Sequence, residues 1–414
     1  MRPCLPPPSL PRGAIAALSL AAFASATAMR VTDPLLPRLS SEFKVPLGDA
    51  ADVITVFAIA YGVSQLFFGP VGDRYGKYRV IAWATLACAL TSLACALAPS
   101  PPALLMARLM AGVTAGAIIP LAMAWIGDVT PYAQRQPVLA RFLIGQISGL
   151  SAGVLLGGVA ADYLSWRTPF VALAVWFALV GMIILAFQRR LPGHAVTSAV
   201  TTAVTTAVTP LRAEGGVLAR MVGELQHVLK RSWARVVLAT VFTEGACVFG
   251  AFAFIALHLH QKHQVTLTFA ASAVMLYGAG GLIYALAARP LVARLGEVGL
   301  ARWGGALLAL SLLAIACMPH WLYAGLACLT GGLGFYMLHN TLQINATQMA
   351  AERRGAAVSI FACCFFLGQS VGVGLAGWAL AQLGAARIII IGAAGVLAVA
   401  WNFARLKRRE LARA

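Results

Sequence analysis

The chain has 414 residues, 60% hydrophobic and only 11% charged, with a mean hydropathy of +0.84 and a formal net charge of +18. Soluble domains carry about 25% charged residues, so a soluble globular fold is excluded. Runs of about 20 apolar residues recur, each long enough to cross a roughly 30 Å hydrocarbon core as a helix, which indicates an all-α polytopic membrane protein.

In chain order, "MRPCLPPPSLPR" is a Pro-rich basic leader that cannot be helical throughout. The apolar run after it ends in "ASATAM", which offers a signal-peptide cleavage site. Cleavage would leave an odd number of spans and break the repeat described below, so the run is read as the first span. Twelve spans are predicted, at 14–37, 50–71, 79–98, 102–127, 138–162, 168–187, 234–258, 267–288, 300–319, 321–345, 356–383 and 386–404. They divide the chain into a leader (1–13), a six-helix bundle (14–187), a linker (188–233), a second six-helix bundle (234–404) and a basic tail (405–414). The linker contains the low-complexity "VTSAVTTAVTTAVTP", and Leu218 to Lys230 reads as an amphipathic helix on the membrane surface.

Charge position gives orientation. Of 31 Lys and Arg, only Arg38, Lys44, Arg167, Lys262 and Arg387 fall on one side, while Arg30 and Arg108 lie within spans. The remaining 24 lie on the other side, which predicts a multi-pass inner (plasma) membrane protein with both termini cytoplasmic. No basic patch interleaves with stacking aromatics, so nucleic acid is not expected as a partner. The cysteines have no paired spacing, and neither a disulfide framework nor a metal site is expected. His258, His260 and His263 in "HLHQKH" read as interfacial polar residues.

Several polar groups stand out against this background. Span one carries Arg30 and Asp33 near its outer end, in "MRVTDPLLP", where Pro34 and Pro37 are expected to kink the helix. The stretch "GPVGDRYGKYR" places Gly69, Asp73, Arg74, Gly76, Lys77 and Arg79 between spans two and three. Its glycines permit a tight turn and close helix approach, and Asp128 at the inner end of span four is placed to pair with Lys77 or Arg79. These charges either gate the inner side or merely fix topology. Arg108 in span four needs a partner or water, since a charge in hydrocarbon costs about 2.5–3.5 kcal/mol on insertion scales. An Arg30–Asp33–Arg108 cluster supplies one; interfacial snorkelling is the alternative. In span five, Gly149, Gly153 and Gly157 recur four apart with Gly158 adjacent, a pattern that packs helices closely.

Glu244 lies about ten residues into span seven, roughly 15 Å deep at 1.5 Å per residue. It is either a proton carrier or a permanently protonated packing group. Span ten holds "FYMLHNTLQINATQM", with His339, Asn340 and Gln343; His339 either titrates near neutral pH or bonds between helices.

The two halves look duplicated. "GPVGDRYGK" at 69–77 aligns with "RPLVARLGE" at 289–297, and "GQISG" at 145–149 with "GQSVG" at 368–372, at offsets of 220 and 223. Parallel repeats of this kind are a known transporter architecture. Together with the 69–79 pattern, Arg108 and Gly112 in span four, "AERRG" and "SWR" with Phe170, they make the whole chain resemble the major facilitator superfamily, specifically its drug:proton antiporter and sugar-efflux permease group. Two departures are Ala111 before Gly112, where that family usually has Gln, and Val154 where its antiporter motif has proline.

The resemblance implies two pseudo-symmetric six-helix bundles with spans one, four, seven and ten around a central cavity. It implies a secondary transporter and not an enzyme, working by alternating access as a monomer in the lipid bilayer, with no cofactor. Arg30, Asp33, Arg108, Glu244, His339, Asn340 and Gln343 are the expected substrate or proton site. Proton-coupled export of small amphipathic or sugar-like solutes is the leading expectation. Uptake or uniport of a small organic anion, and a non-transporting sensor or scaffold, are the alternatives.

Overall fold

The computed structural model describes residues 12–130, 132–189, 191 and 217–412. The expected leader up to residue 11 and most of the linker lie outside the described residues.

Proline and glycine positions decide how the apolar runs are cut into helices. α1 (Arg12–Arg30) gives way to one 3-10 turn at Asp33–Leu35, and the chain resumes as α2 (Leu36–Phe43). Pro34 and Pro37 lack the N–H that an uninterrupted helix needs. Pro37 falls in the first turn of α2, where no donor is required, so the crossing runs on to Phe43 rather than ending near residue 37. After the short α3 (Leu47–Ala50), α4 (Asp52–Tyr75) and α5 (Lys77–Leu97) follow. The stretch expected as a loop at 69–79 is therefore helical up to Tyr75 and again from Lys77. Only Gly76 turns the chain, at φ 89°, a conformation that favours glycine. Of the other two glycines, Gly72 lets α4 approach Leu121, whereas Gly69 has open space around it.

α6 (Pro101–Ala115) and α7 (Ile118–Val129) form one crossing with a break at Gly116–Ala117. α8 (Tyr132–Tyr163) and α9 (Thr168–Gln188) complete the first half. α10 (Val217–Leu229) coincides with the expected surface helix and precedes α11 (Ser232–Phe252), α12 (Ile255–His263), α13 (Leu267–Cys317), α14 (Ala324–Gln348) and α15 (Arg354–Leu411). Among the described residues there is no strand, and ten helical stretches are long and apolar enough to cross a membrane. α13 and α15 have 51 and 58 residues, far more than the about 20 that one crossing needs. Each is two limbs joined at a left-handed glycine, Gly296 (φ 60°) and Gly384 (φ 71°). The basic tail from 405 continues α15 without a break as far as Leu411.

Buried apolar side chains form two main clusters, one drawn largely from residues 14–191 and the other largely from 228–404. Glycines set the helix spacing in both. Gly145, Gly149, Gly153 and Gly157 of α8 lie against the Ser19, Phe23, Thr27 and Val31 carbonyls of the first span, each four residues on from the last. Gly368 and Gly372 of α15 lie in the same way against Phe242 and Ala246 of α11. Every member of this second set stands 223 residues from its counterpart: 145 to 368, 149 to 372, 19 to 242 and 23 to 246. The short sequence repeat is thus a repeat of packing.

The end of the bundle bearing Asp73, Lys77 and Asp128 is termed the knot face here, and the opposite end the far face. The halves meet at mid-depth, where Gly62 abuts Phe366 and Cys363, and at the far face, where Gly48 abuts Gly377 and Gly158 abuts Ala271 and Thr268. There the Asp162 carboxylate accepts hydrogen bonds from the Leu267 (3.2 Å) and Thr268 (2.6 Å) backbone N–H groups. It thereby caps the first turn of α13 from the other half, alongside Thr266 Oγ1, which accepts from the Phe269 N–H.

Candidate functional site

α11 places Glu244 inside the second half with its side chain fully buried, and α14 places His339 opposite it. His339 Nδ1 stands 2.9 Å from Glu244 Oε2. One proton occupies this contact: either the imidazole N–H donates to the carboxylate, or the protonated carboxyl donates to a neutral ring nitrogen. The second carboxyl oxygen, Oε1, is buried without a hydrogen-bond partner. Phe335 stacks on the imidazole at 5.0 Å, and Phe365 approaches to 4.6 Å. Asn340 lies at the Tyr284 hydroxyl, and Gln343 is half-buried one turn further on.

The same face of α15 leads from this pair to Arg30. Phe361 and Phe365 touch His339, and Gln369, one turn beyond Phe365, accepts a hydrogen bond from Arg30 Nη2 at 3.3 Å. The Arg30 guanidinium lies 4.1 Å over the Phe249 ring, and its Nη1 stands 3.5 Å from Asp33 Oδ2. Arg30 is therefore an N-half cation held largely by C-half groups. It borders a small cavity between the halves, of about 40 Å³, together with Ser151, Phe249, Phe252, Tyr277 and Tyr336. A larger groove of about 520 Å³, lined by Leu397, Trp401 and Arg405, lies away from these groups on the last limb of α15.

The expected Arg30–Asp33–Arg108 cluster divides. Arg108 turns into the first half, where Nε donates to the Val53 carbonyl (3.1 Å), Nη1 to the Ala28 carbonyl (3.0 Å) and Nη2 to Thr32 Oγ1 (3.4 Å). Its guanidinium covers the Phe57 ring at 4.1 Å and is 1% exposed. Its donors are spent tying span four to spans one and two, which leaves Arg30 as the arginine at the cavity. Neither arginine snorkels: both are buried among helices.

At the knot face, Lys77 Nζ reaches Asp128 Oδ2 at 2.7 Å and Asp73 Oδ1 at 3.1 Å, joining the 69–79 stretch to span four. Arg74 instead lies 5.3 Å from the Tyr75 ring. The second half carries a knot of reversed sign. Glu297, which aligns with Lys77, accepts from Asn345 Nδ2 (2.9 Å) and pairs with Lys407 Nζ (3.3 Å). Lys407 also donates to Asn345 Oδ1 (2.9 Å) and pairs with Glu410 (2.8 Å). Sequence reasoning passed over Asn345, Lys407 and Gln369. Asn345 lay within the polar run of span ten, Lys407 looked like one more tail charge, and Gln369 served only as a repeat marker. His258 and His260 bond separate carbonyls, of Ile315 (3.2 Å) and Val265 (2.7 Å).

A family model described as Major Facilitator Superfamily matches residues 18–372. The chain belongs to the major facilitator superfamily. This facilitator is 24% identical over 349 residues to the uncharacterized MFS-type transporter YceJ of Bacillus subtilis (strain 168), covering 83% of each chain. Over 175 residues it is 29% identical to the multidrug export protein EmrB of Escherichia coli (strain K12), a match spanning 42% of this chain and 34% of that protein. It is 35% identical over 147 residues to the puromycin resistance protein pur8 of Streptomyces alboniger, covering 35% and 29% of the two chains. Among solved structures, a mutant form of the nucleoside transporter NupG superposes with a TM-score of 0.74 at 14% identity, covering 94% and 98% of the chains. The facilitator is a multi-pass plasma-membrane transporter of small molecules, with efflux proteins among its relatives, and not an enzyme.

Proposed function

We propose that this facilitator exports small amphipathic or sugar-like solutes by alternating access, exchanging them for protons at the Glu244–His339 pair. The observation that carries the reading is a fully buried carboxyl and an imidazole 2.9 Å apart on facing helices at the centre of the second half. With one proton more than a carboxylate and a neutral imidazole carry together, the pair is neutral overall. Gaining or losing a proton leaves a net charge, which needs water or a counter-charge, so its protonation state and the opening of the cavity are linked. Structural burial alone is poorly served by such a pair, because apolar residues of the same volume pack as well or better.

In this reading α13 and α15 each cross twice, making twelve crossings. The knot face is cytoplasmic, as are both termini, and one copy in the bilayer suffices. The far-face contacts through Gly48, Gly158 and Asp162 support a state closed to the outside. The likeness to EmrB and pur8, named as an export and a resistance protein, supports the outward direction.

The test is proton movement in proteoliposomes loaded with a pH dye and challenged with amphipathic solutes. Glu244→Gln and His339→Gln should each abolish solute-driven proton movement while keeping the wild-type melting profile. Undiminished proton movement in both variants would remove the pair from the mechanism.

A further inference from the structure

We infer that the cavity beside Arg30 takes an organic anion, with its charged head on the guanidinium and a flat aromatic body among the surrounding rings. This names a substrate class and rests on the transporter reading above. The first observation is an excess of uncommitted donors. Arg30 Nη1 is buried without a hydrogen bond, as are the Tyr277 hydroxyl and the Gln369 amide nitrogen, and all three side chains are at most 9% exposed. Such groups are costly to leave unmade, and two of the three side chains, Arg30 and Tyr277, line the cavity, where a carboxylate or sulfonate would accept from both.

The second observation is the looseness of the existing ion pair. Asp33 Oδ2 stands 3.5 Å from Nη1, and neither Asp33 oxygen makes a hydrogen bond. A charge-assisted contact normally closes to about 2.7–2.9 Å. Arg30 is thus neutralised at a distance, with Nη1 open to a ligand oxygen while Nη2 donates to Gln369.

The third is the lining. Phe249, Phe252 and Tyr277 follow one another at centroid distances of 5.7 Å and 5.0 Å, and Tyr336 closes the cavity. These rings offer edges and faces to a flat apolar body. A cationic ligand is disfavoured, because Arg30 already occupies the Phe249 face at 4.1 Å. The present volume, about 40 Å³, holds little more than one water, so the ligand enters as the halves part.

The test is equilibrium binding to the purified full-length protein of three probes sharing one ring: 2-naphthoate, 2-naphthol and 2-naphthylmethylammonium. Naphthoate should bind about tenfold tighter than naphthol, a difference of about 1.4 kcal/mol, with the ammonium weakest. Arg30→Gln should bring naphthoate down to the naphthol value. Asp33→Asn, which removes the competing carboxylate, should tighten naphthoate and leave naphthol unchanged, a result that stands even if Arg30→Gln fails to fold. Absence of naphthoate binding, equal or tighter binding of either other probe, or naphthoate affinity unmoved in both variants would overturn the inference. Because binding is read without flux, the two readings fail separately. Charge-selective binding without proton-driven transport removes the export reading alone, and proton-driven transport of other solutes without naphthoate binding removes this one alone.

Discussion

Lys77 is held by two carboxylates of unequal worth. Its own side chain is 12% exposed, that of Asp128 24% and that of Asp73 68%. Water and salt screen the Asp73 contact, and exposed pairs contribute about 0.2–1 kcal/mol. The shorter, more buried bond to Asp128 falls with hydrogen bonds to charged groups, at about 1.5–3 kcal/mol. Asp128→Asn should therefore lower thermal stability and turnover more than Asp73→Asn, with solute binding retained in both; melting curves and initial rates will rank them. The reverse ranking would mean that the knot works through the exposed arm. The Lys77–Asp128 pairing was legible in the sequence because a charged cluster and a lone acid lay at the same end of adjacent spans. The Arg30–Gln369 bond was not, since it joins residues 339 apart across the two halves, and no local pattern marks such a contact. Arg108 misled for the same reason: its depth was readable, but the Val53 and Ala28 carbonyls that absorb its donors were not.

At the scale of elements, small residues carry the helix contacts and differ sharply among themselves. A Cβ on Gly153 would lie 2.6 Å from the Thr27 carbonyl oxygen, while one on Gly69 would meet nothing within 4 Å. Gly153→Ala should cost about 1–3 kcal/mol by overpacking. Gly69→Ala should be neutral or stabilise by up to roughly 1 kcal/mol, since a helical glycine gives up more chain entropy than alanine. Thermal melting in detergent separates the two. The linker helix supplies a second element-scale test. His227 Nε2 and Arg231 Nη2 converge on Glu352 Oε1, at 2.7 Å and 2.6 Å. The His227 hydrogen bond, with Arg231 assisting, holds this carboxyl below its ordinary value of 4.5. The latch is therefore at full strength above that value and is lost as pH falls through the lowered one. Glu352→Gln at neutral pH should raise hydrogen exchange over residues 222–229; unchanged exchange would show that α10 is held by packing alone. The sequence displayed α10 through its periodicity, but the long merged helices depend on single left-handed glycines that no periodicity reveals.

At the scale of the whole molecule, the two halves repeat their packing but not their charges. The glycine contacts recur at a constant displacement of 223 residues, whereas Lys77 between two acids becomes Glu297 between Lys407 and Asn345. Duplication preserved the spacing between backbones, which tolerates little change, and let the knot invert, because an ion pair works with either partner on either helix. Removing a buried cation that serves two acids leaves both without that counter-charge, so Lys407→Met should loosen the knot face of the second half, read as raised exchange near 293–297. The Glu244–His339 pair and Arg30 then lie deeper in the bundle than two unlike knots, with the halves in contact at the far face. The most direct test of this account is solute flux in inside-out membrane vesicles, with and without an imposed gradient acidic inside, for the wild type and Glu244→Gln. Proton-coupled export predicts that the gradient drives solute into wild-type vesicles and that Glu244→Gln loses this accumulation. Accumulation indifferent to the gradient in the wild type, or equally gradient-driven in Glu244→Gln, would contradict it.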